Sequence, residues 1–378
     1  MNIGTFIVTK KSGECRARAG QLTTGRGVIN TPVFMPVGTQ GSVKTLSNEE
    51  LESSGAQIIL SNSYHLYLRP GTELIRSAGG VHKFIGWCKP MLTDSGGFQI
   101  FSLTTLRRID SDGVEFRSHI DGSKHFFTPE KSIEVQNRIG ADIIMCFDEC
   151  TPYPSTRDYA ERSMLLSVDW AKRCKKAFEE LRFTEGQGQL LFGIVQGSVY
   201  ADLRKESVEK MLKIDFPGYA LGGLSVGEPK EEILRIIDAA APLLPEEKPR
   251  YAMGLGMPED IWEAVERGID MFDCVLPTRN GRNGQAFTSS GKVNIKNAEY
   301  VADFGPLDAG CSCPTCANYS RAYLNHLFKA QELLVLRLLT LHNVYFMIKL
   351  VDNIRKSIEN DCFMNAKKEF LNKYCTAT

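Results

Sequence analysis

The chain has 378 residues, of which 43% are hydrophobic and 24% charged, and its 45 Lys and Arg balance 45 Asp and Glu. This balance excludes a long-range field that would attract a polyanion, so any contact with nucleic acid must come from local patches. We see no leader in residues 1–11 and no apolar run long enough to span a bilayer, which predicts a cytoplasmic protein without a membrane partner.

The first 35 residues differ in pattern from the rest of the chain. The segments GTFIVTK, CRARAGQLTT and TPVFMPVG alternate apolar residues with turn residues. Such alternation is typical of antiparallel strands. We therefore expect residues 1–35 to form an antiparallel cap over one end of the domain that follows.

Short apolar runs that stop at a polar residue or glycine recur through most of the chain. Amphipathic stretches lie between them, for example at 155–178 and 230–244, and their spacing predicts helices. Strands that alternate with helices predict a parallel sheet, either doubly wound or closed into a barrel. Polar groups at many successive strand ends favour a single α/β domain over residues 1–378, a (β/α)8 TIM barrel. The runs end at Asn62, Asp94, Asp148, Gln196, Gly223, Met253 with Gly254, and Asp273.

Asp94 and Asp273 are the most informative of these strand ends. Each carboxylate follows a buried run and faces the open end of the sheet, where ligands bind. An isolated Asp near Gly is more often a turn residue or a helix cap. Two carboxylates in one pocket can perform retaining glycosyl chemistry, and Asp148 with Gln196 can bind the polar edge of a base.

The segment after Asp273 reads PTRNGRNG and contains Arg279 and Arg282. In a Gly- and Asn-rich loop these arginines can donate to phosphates or base edges, although surface arginines near a turn are commonly only solvated. A hairpin closed by Ser290 and Gly291 follows, and a long helical pattern runs over 320–358.

Three cysteines in the spacing C-x-C-x-x-C indicate a metal site. Cys311, Cys313 and Cys316 with His342 make a complete tetrahedral zinc shell, so the site is predicted to be structural. An iron–sulfur cluster and incidental buried cysteines are the alternatives, and His326 is a rival fourth ligand. We expect a zinc-binding subdomain at residues 284–347, inserted late in the barrel.

The ordered set of motifs resembles one family. DSGGFQ at Asp94, FDEC at Phe147, GIVQG at Gly193, GGLSVGE at Gly222, DMFDCVLPTRNGR at Asp270, and CSCPTC with His342 look like tRNA-guanine transglycosylase, also called queuine tRNA-ribosyltransferase. The resemblance runs from about Thr5 to about His342. It implies exchange of guanine at anticodon position 34 for a 7-substituted deazaguanine, in queuosine modification of tRNA.

The resemblance also implies residue roles. Asp273 is expected to attack C1′ of the ribose and form a covalent intermediate, and Asp94 to accept a proton from the incoming base. The substrate-binding set implied is Asp94, Ser95, Gly96, Gly97, Phe98, Asp148, Gln196, Gly223, Leu224 and Met253. The RNA-binding set implied is Gly254, Leu255, Gly256, Met257, Pro258, Glu259, Asp260, Thr278, Arg279, Asn280, Gly281 and Arg282.

The implied cofactor is one structural zinc ion per subunit, and the implied partners are a tRNA with a G-U-N anticodon, a deazaguanine base and a second copy of the chain. Phe98 and Ser225 stand where bacterial members commonly carry Tyr and Ala, whereas Cys150 and Val226 follow the bacterial pattern. The preferred base, the small aminomethyl precursor preQ1 or queuine, therefore stays open. A non-catalytic RNA-binding subunit and a glycoside hydrolase are the alternative functions.

Overall fold

The computed structural model describes residues 2–103, 107–185 and 188–375. Its strands are β1 Phe6–Lys11, β2 Arg18–Thr24, β3 Gly27–Thr31, β4 Val33–Pro36, β5 Ile59–Ser61, β6 Met91–Thr93, β7 Arg107–Ile109, β8 Val114–Arg117, β9 Lys124–Phe127, β10 Ile143–Met145, β11 Leu190–Val195, β12 Tyr219–Leu221, β13 Arg250–Ala252, β14 Met271–Cys274, β15 Gln285–Thr288 and β16 Gly291–Asn294.

The α-helices are α1 Asn48–Ser53, α2 Ser63–Leu68, α3 Thr72–Ser77, α4 Val81–Ile85, α5 Gly97–Leu103, α6 Pro129–Ile139, α7 Arg157–Glu185, α8 Ala201–Ile214, α9 Lys230–Ala240, α10 Pro258–Glu266, α11 Leu276–Arg282, α12 Pro314–Asn318, α13 Arg321–Lys329, α14 Leu333–Glu359 and α15 Phe363–Cys375. Short 3-10 helices lie at Ala241–Leu243 and Ala298–Tyr300.

Eight parallel strands form the predicted barrel, in the order β4-β14-β13-β12-β11-β10-β6-β5. A parallel bridge between Val37 and Leu60 joins the two ends of this sheet and closes it. Side chains from the strands fill the interior, as in β11, where all six residues are buried. The barrel interior is therefore a packed core, and polar groups are free to gather only at the carboxyl ends of the strands, here called the barrel mouth.

The N-terminal strands β1, β2 and β3 form an antiparallel sheet, as predicted. Phe6, Leu22 and Ile29 join the hydrophobic cluster of the barrel interior. A buried ion pair between Arg18 and Asp270 ties this sheet to the residue just before β14. The cap thus covers the amino ends of the barrel strands, opposite the barrel mouth.

The assignment of TPVFMPVG to the cap is wrong. Its residues Val33–Pro36 form β4, which pairs in parallel with β14 and is a barrel strand. All four residues are buried. A strand buried on both faces carries no alternation, so its short apolar run was not distinguishable from a cap strand by pattern.

Two further units extend from the barrel. The antiparallel sheet β7-β8-β9 lies between α5 and α6 and was not predicted. Near the C-terminal part of the chain, the β15-β16 hairpin, α12, α13 and the start of α14 surround a separate small hydrophobic core. The helical pattern predicted over 320–358 is divided into α13 and α14, because Gln331 adopts a positive φ of 59° and ends the first helix.

Helix α14 is the longest apolar segment among the described residues. By length and composition it is apolar enough to cross a membrane, so the expectation that no such run exists is wrong. However, 61% of its most apolar window is buried inside the protein. It contacts β4, β15 and α11, which is the packing of a core helix of the barrel.

Candidate active site

Asp94 follows β6 directly and is buried at the barrel mouth. The backbone N–H groups of Ser63 and Gly96 donate to its Oδ1 at 2.9 and 3.2 Å, and Asn62 Nδ2 donates to its Oδ2. Burial raises the pKa of Asp94 to about 6 despite these donors. A carboxylate with that pKa is ionised at neutral pH yet can accept a proton.

Asp273 lies in β14, and two donors hold one of its oxygens. The Tyr251 hydroxyl donates to Asp273 Oδ1 at 2.5 Å and the Gly254 N–H donates to the same atom at 2.8 Å. Within the residues that the structure describes, no hydrogen bond is formed to Oδ2. Burial raises the pKa of Asp273, and the two donors oppose that rise.

The two carboxylates act on each other electrostatically. The negative charge of Asp273 is one of the causes that raise the pKa of Asp94, after burial. Burial raises the pKa of Tyr251 far above its usual range, and the charges of Asp273 and Asp94 add to that rise. The strand order places only β4 and β5 between β14 and β6 in the closed barrel. The structure therefore brings both carboxylates to one region of the barrel mouth.

A second polar group at the barrel mouth centres on Asp148. Ser95 Oγ donates to Asp148 Oδ1 at 3.2 Å, and Gln196 Nε2 donates to Oδ2 at 2.7 Å. Burial raises the pKa of Asp148 to about 6. Gln196 is fully buried, and its Oε1 has no hydrogen-bond partner among the described atoms. This unpaired acceptor is available to a donor on a ligand.

Glycines allow the backbone to approach this polar group. A Cβ at Gly223, where φ is +62°, would lie 2.7 Å from Gln196 Oε1, and one at Gly97 would lie 2.7 Å from the Asp148 carbonyl oxygen. Neither distance is compatible with a side chain. Both glycines belong to the predicted substrate-binding set, and the close contacts explain why these two positions require glycine.

The remaining predicted substrate residues surround this region in different environments. Phe98 lies in the first turn of α5 and is 50% exposed, so its ring is available for stacking. Leu224 is buried, whereas Met253 is half-buried and follows β13. The family resemblance also implies that Phe98 and Met253 cover the two faces of the base, and this arrangement stays a prediction.

The predicted RNA-binding residues fall on two short segments that follow barrel strands. The interpretation of 278–282 as a loop is wrong, because these residues form α11. Gly281 packs against α14 so closely that a Cβ would lie 2.7 Å from the Thr340 nitrogen, which holds this helix in place. Arg279 is exposed, and Arg282 is half-buried and donates to the Thr278 carbonyl.

The second segment, 254–260, contributes to the barrel mouth as well as to the surface. Gly254 donates to Asp273, as described above, and Gly256 lies against Cys274. Asp260 forms an ion pair with Lys230. Contact of either segment with RNA stays a prediction.

Sequence reasoning missed three residues that shape the barrel mouth. Asn62 was recognised as a strand end but received no role, and Tyr251 looked like any buried strand residue. The Glu228 carboxylate accepts from the N–H groups of Ser225 and Val226 at 2.6 and 2.9 Å. Only Asn62 carried a signal, because it ends a strand in the same position as Asp94.

The predicted metal ligands Cys311, Cys313, Cys316 and His342 form one compact group, here called the Cys3His cluster. His342 Nδ1 lies 3.7, 3.4 and 3.3 Å from the Sγ atoms of Cys311, Cys313 and Cys316. Tetrahedral zinc with ordinary bond lengths separates a nitrogen and a sulfur ligand by about 3.6 Å. The donor set and its spacing therefore fit a metal ion such as zinc.

The fourth ligand is oriented by the protein. His342 Nε2 lies 2.6 Å from the Phe287 carbonyl oxygen, which requires the proton on Nε2 and leaves the lone pair of Nδ1 facing the three sulfurs. The rival ligand His326 is exposed and contacts Tyr323 instead. His342, rather than His326, completes the cluster.

A (β/α)8 barrel with paired carboxylates at its mouth and a closed Cys3His cluster defines a class of enzyme suited to covalent glycosyl transfer. The family model described as Queuine tRNA-ribosyltransferase matches residues 13–376. A protein of that name from Caldanaerobacter subterraneus subsp. tengcongensis is 60% identical over 369 residues, 98% of this chain and 97% of the relative.

Two further relatives carry the same name. The protein from Halothermothrix orenii is 58% identical over 98% of both chains, and the one from Symbiobacterium thermophilum is 56% identical over 95% of this chain and 88% of its own. The chain belongs to the queuine tRNA-ribosyltransferase family. The resemblance inferred from its motifs is confirmed, and so is the predicted enzyme class, a tRNA-guanine transglycosylase.

Proposed function

We propose that this enzyme exchanges guanine at anticodon position 34 of tRNA for a 7-substituted deazaguanine, through a ribosyl ester on Asp273. The observation that carries the proposal is the asymmetry of the Asp273 carboxylate. Tyr251 and Gly254 fix Oδ1, whereas Oδ2 forms no hydrogen bond within the described residues. A nucleophile held by one oxygen can present the other to a carbon atom.

The exchange takes two displacements. In the first, Asp273 Oδ2 bonds to C1′ of the ribose, the bond from C1′ to the base nitrogen breaks, and guanine leaves with that electron pair. In the second, the incoming base loses a ring N–H proton to Asp94, and its nitrogen displaces Asp273 from C1′. Two inversions give net retention at C1′.

The pKa of Asp94 suits the second step. At about 6, the pKa leaves the carboxylate ionised at neutral pH but makes it a stronger base than an exposed aspartate. Four donors, from Asn62, the N–H and hydroxyl groups of Ser63, and Gly96, keep Asp94 fixed near Asp273. Asp94 is therefore the proton acceptor in this mechanism.

The group around Asp148 is the base site of this proposal. Asp148 accepts from the ring and exocyclic N–H groups of the base. The carbonyl side of the base pairs with the backbone of Gly223 and Leu224 and with the second N–H of Gln196 Nε2, while Gln196 Oε1 stays available to a further donor. Phe98 and Met253 cover the faces of the base, which requires the target nucleotide to be flipped out of the RNA. Segments 254–260 and 278–282 contact the nucleotides beside it.

The remaining features complete the proposed assembly. One zinc ion per subunit would be held by the Cys3His cluster and would keep residues 284–347 together as a subdomain, while the strands β1, β2 and β3 cap the barrel floor. Zinc in such a closed shell supplies cross-linking and no open position for substrate. A homodimer in the cytoplasm, acting on tRNA with a G-U-N anticodon, is the proposed working form.

Incorporation of labelled guanine into purified tRNA, with this chain as the only protein, tests the proposed activity. Incorporation that depends on G at position 34 supports it. If label enters tRNA only when a second protein is added, the chain is a non-catalytic RNA-binding subunit. Release of free sugar from glycosides without incorporation would indicate a hydrolase instead.

A further inference from the structure

Arg204 is a buried guanidinium to which the proposed reaction gives no role. It lies in the first turn of α8 and is fully buried. In the part of the chain that the structure describes, it forms no ion pair with a carboxylate. Burial lowers the pKa of Arg204 to about 10. The charge of Glu228 acts on Arg204 only from beyond ion-pair distance, so neutral groups hold most of this buried charge. Such burial is costly, and the position of Arg204 therefore calls for a function.

The guanidinium joins three carbonyl groups near the base site. Its Nε donates to the Ser198 carbonyl at 2.8 Å, and its Nη1 donates to the carbonyls of Val195 and Gly222, both at 2.8 Å. Val195 ends β11 just before Gln196, and Gly222 follows β12 just before Gly223. Arg204 therefore fixes the backbone on both sides of the base site.

The contact with Gly222 has a direct consequence for Gly223. The two residues share a peptide group, and the cis peptides among the described residues all precede proline elsewhere in the chain. In a trans peptide the C=O and N–H bonds point in opposite directions. Because the Gly222 carbonyl faces Arg204, the Gly223 N–H points away from it, and this N–H donates to no described acceptor.

Gly223 also lies close to two unpaired polar atoms. A Cβ at Gly223 would be 2.7 Å from Gln196 Oε1 and 3.6 Å from Arg204 Nη2. Both of these atoms are buried without a hydrogen-bond partner among the described residues. The buried guanidinium and the base-binding amide of Gln196 therefore both lie close to Gly223.

A hydrogen bond from a guanidinium polarises the carbonyl that accepts it, and this polarisation passes through the conjugated peptide to its N–H. We propose that Arg204 is a positioning residue that polarises the Gly222–Gly223 peptide and so strengthens the hydrogen bond from Gly223 N–H to the carbonyl oxygen of the base. This inference rests on the base site of the proposed function.

The effect is selective for bases with a carbonyl group. It is also larger in the transition state, because the departing base gains negative charge that spreads to its carbonyl oxygen. Loss of Arg204 is therefore expected to lower kcat for guanine exchange more than it raises KM for tRNA. A purely structural arginine would not distinguish one base from another.

Inhibition constants for two free bases test this inference on the full-length protein. Guanine has the carbonyl group, whereas 2-aminopurine lacks both this group and the ring N–H that donates to Asp148. The change in preference caused by substitution of Arg204, rather than the wild-type preference itself, therefore isolates the carbonyl group. Arg204→Met is expected to raise the inhibition constant of guanine about tenfold and that of 2-aminopurine less than about twofold. Arg250→Met is the matched control, because Arg250 is also buried, has an unpaired nitrogen, donates to the Leu244 carbonyl and lies at the barrel floor. The Arg250→Met variant is expected to prefer guanine over 2-aminopurine as strongly as the wild type does.

Two further variants keep the test decisive if Arg204→Met does not fold. Arg204→Lys keeps the positive charge and is expected to retain most of the preference for guanine, whereas Arg204→Gln keeps donors without charge and is expected to lose most of it. Equal preference in these two variants, or an unchanged preference in Arg204→Met, contradicts the inference. A wild-type protein that binds neither base contradicts the proposed base site instead.

Discussion

The Cys3His cluster and the barrel mouth differ in how completely their buried polar atoms are paired. In the Cys3His cluster, four ligand atoms lie within 4.8 Å of one another, and the second nitrogen of His342 is bound to a backbone carbonyl. At the barrel mouth, Gln196 Oε1 and Arg204 Nη2 are unpaired among the described residues, and two aspartates have a pKa of about 6. The first arrangement is complete and stabilises the fold, whereas the second keeps unpaired atoms for a ligand and costs stability.

Removal of the proposed nucleophile should have the largest effect. Asp273→Ala is expected to reduce guanine exchange by at least about 10³-fold, since no covalent intermediate can form. The rate of labelled guanine incorporation measures the loss. Circular dichroism is expected to show a wild-type fold, because removal of this carboxylate relieves burial of a charge. Exchange near the wild-type rate would exclude a covalent role for Asp273.

Removal of a metal ligand should affect stability rather than chemistry. His342→Ala is expected to abolish stoichiometric zinc binding. The midpoint of thermal unfolding should fall by about 10 °C or more, because the small hydrophobic core packs around the metal ligands. Metal analysis and calorimetry measure both effects. His326→Ala is the matched control and should keep its zinc. If His342→Ala retained one tightly bound zinc per chain, the ligand assignment would be wrong.

Loss of the Tyr251 hydroxyl should weaken the active site moderately. Tyr251→Phe removes the 2.5 Å bond to Asp273 Oδ1, and a hydrogen bond to a charged group is worth about 1.5–3 kcal/mol. We expect kcat to fall about 10- to 100-fold with little change in KM for tRNA. Tyr219→Phe, in which a buried hydroxyl accepts from the Phe216 N–H, is the control. Equal losses in both variants would indicate a general packing effect.

The cost of the buried carboxylates should appear as a dependence of stability on pH. Asp148 has a pKa of about 6 in the fold against an ordinary 3.8, so the native state binds more protons between these values. The contribution of Asp148 to the free energy of unfolding therefore falls as pH rises from about 4 to about 6. Asp148→Asn is expected to be more stable than the wild type at pH 7 by about 1–3 kcal/mol, and to lose that advantage near pH 4.

Urea unfolding at the two pH values measures this difference. The Asp148→Asn substitution is compatible with the site, because the Gln196 amide can rotate and offer its unpaired Oε1 to the N–H group of the new amide. Activity is expected to fall in this variant even though stability rises. A variant that is less stable than the wild type at pH 7 would show that the Asp148 carboxylate is not under electrostatic strain.

Most of the barrel mouth could be predicted from the sequence, because a polar residue that stops an apolar run identifies the end of a strand. Asp94, Asp148 and Gln196 each stop an apolar run, and the closed barrel must bring such positions to one end. The Cys3His cluster was predicted from spacing alone, since thiolates and imidazole leave few other interpretations. These features depend on local sequence, which a single chain displays.

The features that were missed depend on tertiary contacts. Tyr251 and Arg204 lie within a strand and a helix, and nothing in their local sequence separates them from ordinary core and surface residues. Strand β4 lacks alternation because both of its faces are buried, and α11 contains Gly281 because it packs against Thr340. The sequence pattern predicts the order of the helices and strands, whereas these contacts form only in the closed barrel.

The most direct test of the central claim is to identify the residue that carries RNA during the reaction. Enzyme mixed with tRNA can be denatured rapidly, digested with protease and nuclease, and analysed by mass spectrometry. A ribosyl adduct on the peptide that contains Asp273, absent from Asp273→Ala, is the predicted result. A stable adduct on any other residue, or exchange that proceeds without an adduct, would contradict the account.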